Sequence, residues 1–218
     1  MSIAILLFDK MTALDAVGPY EVLSRLPNSK VYFVGETKGR KTTDTKMLSF
    51  DVDYSIDDVP NPNVLLIPGG NVLEVIKSEK VLNWIRNANK TTRFTTSVCT
   101  GSIILGAAGL LKGQKATTHW ATVKYLQNFG AEYVAERYVQ TGQNGKIITA
   151  AGVSAGIDMG LFLAGKLSDE RTAKMIQLAI EYDPQPPFNS GSAAKAEKQT
   201  VADALEYFQN RSKKEKAN

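Results

Sequence analysis

Short apolar runs alternate along this chain with longer amphipathic stretches. Residues 3–8, 31–34, 64–67, 94–98 and 147–150 read as strands. The first, third and last of these are almost continuously apolar, the pattern of strands covered on both faces. Helical periods lie between them. Residues 18–26 put Val22, Leu23 and Leu26 on one side. Ser78 is placed to cap a helix running to Ala88, with Val81, Leu82 and Ile85 facing inward. Further helices are expected over 100–108, directly after a strand, and over 120–129, 154–167 and 169–182; residues 47–52 read as part of a hairpin. No internal repeat interrupts the alternation. Strand and helix in regular succession predict an α/β fold with a mostly parallel sheet and helices on both faces. Such sheets bind ligands beyond the carboxyl ends of their strands. The segments to inspect are therefore 9–15, 68–71, 99–101 and 151–154.

Composition adds limits to this picture. The chain has 218 residues, 43% of them hydrophobic, enough for a sizeable core without disulfides. Its single cysteine, Cys99, rules out an intramolecular disulfide and fits a reducing, cytoplasmic compartment. Residues 1–8 lack a basic leader and read as a first strand rather than a signal peptide. No apolar run approaches the roughly 20 residues of a bilayer span, so no membrane partner is expected. The net charge of +4 is mild, and much of it sits in Lys195, Lys198, Arg211, Lys213, Lys214 and Lys216. A solvated terminus accounts for that cluster better than nucleic acid does, since no zinc-finger or basic-zipper pattern accompanies it. The expected organisation is one domain over residues 1–192. A polar linker and helical tail follow over 193–218, with a last helix over 201–209.

The strongest chemical signal is Thr95-Thr96-Ser97-Val98-Cys99-Thr100-Gly101-Ser102. A strand runs straight into a helix with Cys99 at the junction, the kind of sharp turn that lifts a nucleophile out of a fold. A lone cysteine elsewhere is usually a small buried hydrophobe; this context argues otherwise. Backbone N–H groups at the start of the helix are expected to lower the thiol pKa. Desolvation, or an ionised Asp15 or Glu21 nearby, would act against them. Asp15 follows the first strand and reads equally as the N-cap of the next helix or as a proton-transfer group. In Pro68-Gly69-Gly70-Asn71 the glycines either expose N–H groups toward the cysteine or simply turn the chain. The phosphate-loop pattern is absent. Gly152-Val153-Ser154 also leaves a strand for a helix, so Val153 can present its backbone to Cys99. His119, the only histidine, is open to two readings: a base for Cys99, or a pocket-lining or anchoring residue. One histidine and one cysteine do not make a transition-metal site.

Three stretches together resemble the ThiJ/PfpI superfamily, whose members are class I glutamine amidotransferase-like. They are Thr96-Ser97-Val98-Cys99-Thr100-Gly101, Leu105-Gly106-Ala107-Ala108-Gly109-Leu110-Leu111 and Ala116-Thr117-Thr118-His119-Trp120. The likeness runs from residue 3 to about 191, and Leu14-Asp15-Ala16-Val17-Gly18-Pro19 and Gly152-Val153-Ser154-Ala155-Gly156-Ile157-Asp158 fit it as well. It implies a flavodoxin-like three-layer sandwich with a nucleophile elbow at Cys99. Within the superfamily the chain is most similar to the isocyanide hydratases, a likeness shared by Gln177-Leu178-Ala179-Ile180-Glu181-Tyr182 and Pro186-Pro187-Phe188-Asn189. That likeness implies Asp15 as general acid/base beside Cys99, with the Thr100 N–H and the Gly70 loop orienting the reacting centre. It gives Gly70, Asn71, Val153, His119 and, more weakly, Glu21 as substrate-binding residues. Members of the protease-like branch carry histidine immediately after the cysteine; this chain has Thr100. The implied reaction is hydration of an isocyanide to an N-substituted formamide through a thioimidate on Cys99. It needs a small-molecule substrate and no cofactor, in a protein expected to be a homodimer. The alternatives are a thiol-based glyoxalase or deglycase acting on α-oxoaldehydes, and a ligand or redox sensor. A regulator with paired helix-turn-helix units needs more chain than follows Asn189.

Overall fold

The five expected strands are consecutive neighbours of one sheet in the computed structural model, which describes residues 1–217. In chain order the elements are β1 (Ser2–Leu6), α1 (Ala13–Leu23), β2 (Lys30–Gly35), β3 (Gly39–Thr42), β4 (Ser49–Val52), β5 (Tyr54–Ser55), β6 (Val64–Ile67), α2 (Glu79–Thr91), β7 (Phe94–Val98) and α3 (Gly101–Ala107). There follow β8 (Lys115–Ala116), α4 (Val123–Gln127), β9 (Glu132–Tyr133), β10 (Tyr138–Thr141), β11 (Ile147–Ala150), α5 (Ala155–Leu167), α6 (Glu170–Ala179) and α7 (Lys198–Ala217).

The main sheet has seven strands in the order β10-β11-β7-β6-β1-β2-β5, and only β10 runs antiparallel. Its central part, β2-β1-β6-β7-β11, is the flavodoxin-like order. Helices α1 and α5 cover one face, while α2 and α3 cover the other, giving three layers. The strands β6 and β11 are buried along their whole length, which is why their sequences read as unbroken apolar runs. Winding reverses between β1 and β6, so the loops after these strands diverge and leave a crevice at their carboxyl ends.

Local chemistry sets several element ends. Ser78 caps α2 by accepting the Val81 N–H at 3.3 Å, and Asp169 caps α6 by accepting that of Thr172 at 2.7 Å. Helix α1 begins at Ala13, earlier than its Gly18-Pro19 pair suggests. That pair serves packing against α5. A Cβ on Gly18 would stand 3.0 Å from Ile157, and one on Gly156 would stand 3.2 Å from Pro19. Thr12 therefore occupies the N-cap position, and Asp15 lies inside the first turn rather than capping the helix.

The hairpin around residues 47–52 is real but longer, pairing β3 with β4. The edge strand β10 and the short β8–β9 pair carry no apolar run and are not evident from pattern. The chain divides into two compact units, Met1–Tyr182 and the remainder from Asp183. The second contains α7, which starts at Lys198 and extends past the expected 201–209. Among the described residues, no helix is long and apolar enough to cross a membrane.

Candidate active site

Cys99 sits where β7 has ended and α3 has not begun. Its φ is +57°, a left-handed conformation uncommon for a residue with a side chain. The turn is held from several sides. The Cys99 N–H donates to the carbonyls of Ala150 and Ala151 at 3.1 and 2.7 Å. Its own carbonyl accepts the Thr118 and Ser102 hydroxyls, both at 3.1 Å. A Cβ on Gly101 would lie 2.1 Å from the Ile67 carbonyl oxygen, so only glycine permits this elbow. The sulfur receives the backbone N–H groups of Thr100 and Val153. Val153 reaches it from the turn after β11 with φ at +24°, strained for a β-branched residue; such conformations cost on the order of 1–3 kcal/mol.

Asp15 approaches the sulfur from the first turn of α1 and is 0% exposed. Its Oδ2 accepts the Gly69 N–H at 2.9 Å. Oδ1 is buried and receives no N–H or O–H donor; the Cys99 thiol is the carboxyl's other polar neighbour. Burial pushes the Asp15 pKa from 3.8 up to about 7. The hydrogen bonds from Gly69 and Cys99 oppose that rise, and the charge of Asp44 adds to it.

The Cys99 thiol moves the same way, well above its ordinary 9.0. Burial is the main cause and the Asp15 charge the second; the N–H groups of Thr100 and Val153 pull it down without prevailing. The expected depression of this pKa is therefore overturned. Cys99 is only 5% exposed, and two N–H donors at the head of the seven-residue α3 and the Val153 turn do not replace the lost water. The resting sulfur is a thiol that faces the Asp15 carboxyl. As one of the pair gives up a proton, the other is placed to take it.

The Gly69-Gly70 loop holds this arrangement. A Cβ on Gly69 would stand 2.5 Å from the Thr100 nitrogen and 2.8 Å from Asp15 Oδ2. The Gly70 N–H, expected to point at the reacting centre, donates instead to Thr100 Oγ1 at 2.7 Å, and that hydroxyl donates back to the Gly70 carbonyl at 2.9 Å. Gly70 thus fixes Thr100, Gly69 fixes Asp15, and the donors that reach the sulfur are the N–H groups of Thr100 and Val153. Asn71 ties the loop down: its N–H donates to the Lys10 carbonyl at 3.0 Å, and its Oδ1 accepts the Leu73 N–H at 3.4 Å. Gly69→Ala is expected to lose about 1–3 kcal/mol of stability, the usual cost of overpacking. It should also push Asp15 off Cys99. Urea denaturation and the rate of Cys99 alkylation read both effects; wild-type values in both would show that the loop yields freely.

The sequence model of the DJ-1/PfpI family matches residues 1–165. The chain belongs to the DJ-1/PfpI family. It is 41% identical over 205 residues to an isonitrile hydratase of Pseudomonas putida, spanning 94% of this chain and 88% of that protein. A THiJ/PfpI family protein from Pseudomonas syringae is similar in structure, with a TM-score of 0.90 at 36% identity, covering 98% of this chain and 88% of its own. The deglycase PfpI of Pyrococcus furiosus is 29% identical over 146 residues, 65% of this chain and 86% of that one.

Two candidate residues lie outside the cluster in this DJ-1/PfpI protein. Glu21 turns to solvent and pairs with Arg25 at 2.7 Å. Six residues after Asp15, it is rotated by about 240° around α1 and cannot share its face. His119 packs beside the cluster: a Cβ on Gly152 would stand 3.0 Å from its ring, which also meets Trp120 at 5.6 Å. Its Nδ1 accepts the Ala121 N–H at 3.4 Å, and burial lowers its pKa. The ring is thus kept neutral behind the Gly152–Val153 turn, while the side chain acting on the thiol is that of Asp15. Two contributors were missed from the sequence. Thr118 is almost fully buried and holds the Cys99 carbonyl; a hydroxyl in a buried Thr117-Thr118 pair was its only signal. Asp44 accepts the Thr12 hydroxyl at 2.9 Å from the tip of the β3–β4 hairpin, far from Asp15 in sequence.

Proposed function

We propose that this protein hydrates isocyanides to N-substituted formamides, using Cys99 as nucleophile and Asp15 as the proton carrier. The observation that carries the reading is the buried Asp15–Cys99 pair, whose carboxyl has a pKa raised to about 7. A base near the working pH both accepts and returns protons readily. The 41% identity to an isonitrile hydratase supports the substrate class.

In the first half-reaction Asp15 takes the thiol proton as the sulfur attacks the terminal isocyanide carbon. The same proton then passes to that carbon, giving the thioimidate R–N=CH–S–Cys99. In the second half Asp15 accepts a proton from water as its oxygen adds to the carbon, and a proton is delivered to nitrogen. Collapse of the tetrahedral adduct breaks the C–S bond and releases R–NH–CHO, and the sulfur recovers its proton. The N–H groups of Thr100 and Val153 stabilise the sulfur whenever it carries negative charge. An uncharged organic substrate suits a site that excludes water. No cofactor is required. A single unpaired cysteine suits a cytoplasmic, reducing setting.

The test is disappearance of para-nitrophenyl isocyanide with formation of the formamide, using folded, reduced protein. Protein that leaves the isocyanide unchanged would remove the assignment. The likeness to a deglycase supports a second reading, action on α-oxoaldehydes. Methylglyoxal loss measured beside isocyanide loss separates the two.

A homodimer is also proposed. Leu14, Met47, Leu48 and Leu73 are exposed, Met47 to 90%. They lie on three segments joined through Met11, whose carbonyl accepts the Asp44 N–H at 2.9 Å and which bridges to Gly70. Apolar surface of this kind favours association. Sedimentation equilibrium is expected to give twice the 23.7 kDa chain mass, and a single-chain mass at micromolar concentration would refute it.

A further inference from the structure

We propose that Arg137, on the surface and outside the catalytic pair, is a positioning residue that holds the Val153 N–H on the Cys99 sulfur. Arg137 precedes β10 and grips the turn after β11 on both sides of Val153. Its carbonyl accepts the Ala151 N–H at 3.0 Å, and the Ala151 carbonyl in turn accepts the Cys99 N–H at 2.7 Å. Its guanidinium donates to Ser154 Oγ at 3.2 Å and forms an ion pair with Asp158, one turn into α5. Tyr182 hydrogen-bonds to the same pair from beyond α6. Val153, held at φ +24°, sits between these attachment points. A strained backbone persists only where its surroundings over-determine it. Here a main-chain hydrogen bond and a side-chain clamp, both from one residue, supply that constraint. The ion pair is partly exposed, with side-chain exposures of 45% and 28%, so its removal leaves no buried charge behind.

The experiment measures the rate of Cys99 alkylation by iodoacetamide at mildly alkaline pH, with mass spectrometry counting the single adduct. The rate follows the thiolate fraction. Arg137→Ala is expected to slow it roughly fivefold, the effect of weakening one hydrogen bond to the sulfur. Arg137→Lys keeps the charge opposite Asp158 and is expected to recover part of the rate. A purely structural role would lower the unfolding midpoint without slowing alkylation of the folded protein. An alkylation rate for Arg137→Ala within about twofold of wild type would overturn the proposal, because one weakened hydrogen bond is worth more than that. If that variant does not fold, Ser154→Ala removes only the clamp's serine contact; a slowed rate supports the proposal and an unchanged rate overturns it. The catalytic arm rests on the proposed hydration: kcat should fall with alkylation while KM stays. The alkylation arm needs no isocyanide, so it stands or falls apart from the substrate assignment.

Discussion

Cys99→Ala is expected to reduce isocyanide turnover by at least about 10³-fold, because it removes the atom that forms the covalent intermediate. The fold should survive. The thiol is small, and neither the elbow's backbone bonds nor the Gly101 contact depends on it. Its loss leaves the Asp15 carboxyl with the Gly69 N–H as its remaining donor. The stability change should stay within about 1–2 kcal/mol, the usual range for a substitution that creates little cavity. Cys99→Ser is the sharper variant, since it keeps an O–H for Asp15. Its hydroxyl is far harder to ionise than a thiol already raised above 9.0. It should therefore fold like wild type and be nearly as inactive as the alanine variant. Steady-state turnover and urea denaturation on both proteins check this. More than a tenth of wild-type turnover in either would mean that another group attacks the substrate.

How far the sequence reveals the site depends on whether its cause is local. The strands β6 and β11 are legible to the residue because strands buried in a parallel sheet read as apolar runs between turns, and β7, Phe-Thr-Thr-Ser-Val, is legible from its β-branched residues ahead of the elbow. The elbow is legible because Val98-Cys99-Thr100-Gly101 places a strand end and a helix start too close for anything gentler. The start of α1 is not. Pro19 lies inside the helix and packs against α5, which is more than 130 residues away. Which glycine serves which neighbour is equally non-local: Gly69 and Gly70 are adjacent, yet one supports Asp15 and the other Thr100. The direction of the thiol pKa fails for the same reason. Donors at a helix start can be read from sequence, whereas the burial that outweighs them is set by the loops closing over Cys99. Glu21 is the exception, since helical phase alone separates it from Asp15.

Asp15→Asn is expected to trade activity for stability, and pH separates the two effects. Asn keeps an oxygen to accept the Gly69 N–H but cannot carry a proton, so turnover should fall by about 10²–10⁴-fold, the usual worth of a general base. The stability effect follows from the raised carboxyl pKa. The folded state holds the Asp15 proton up to about pH 7, whereas the unfolded chain releases it near 3.8. Between those values the folded state binds more protons, so wild-type stability falls as pH rises. The contribution is fully present below 3.8 and is lost as pH passes about 7. At 1.36 kcal/mol per unit this amounts to something on the order of 4 kcal/mol. The amide has no such dependence. The variant should therefore match wild type near pH 4 and exceed it near pH 8, by an amount approaching that loss. Wild-type kcat/KM should rise with pH through about 7 as the carboxyl ionises to become the base, and the residual activity of the variant should lack that limb. Urea denaturation of both proteins at the two pH values, with pH–rate profiles alongside, decides the matter. A stability difference that does not change with pH would mean that Asp15 is ionised in the folded protein throughout. Near-normal turnover by the variant would remove Asp15 from the chemistry and return proton transfer to His119.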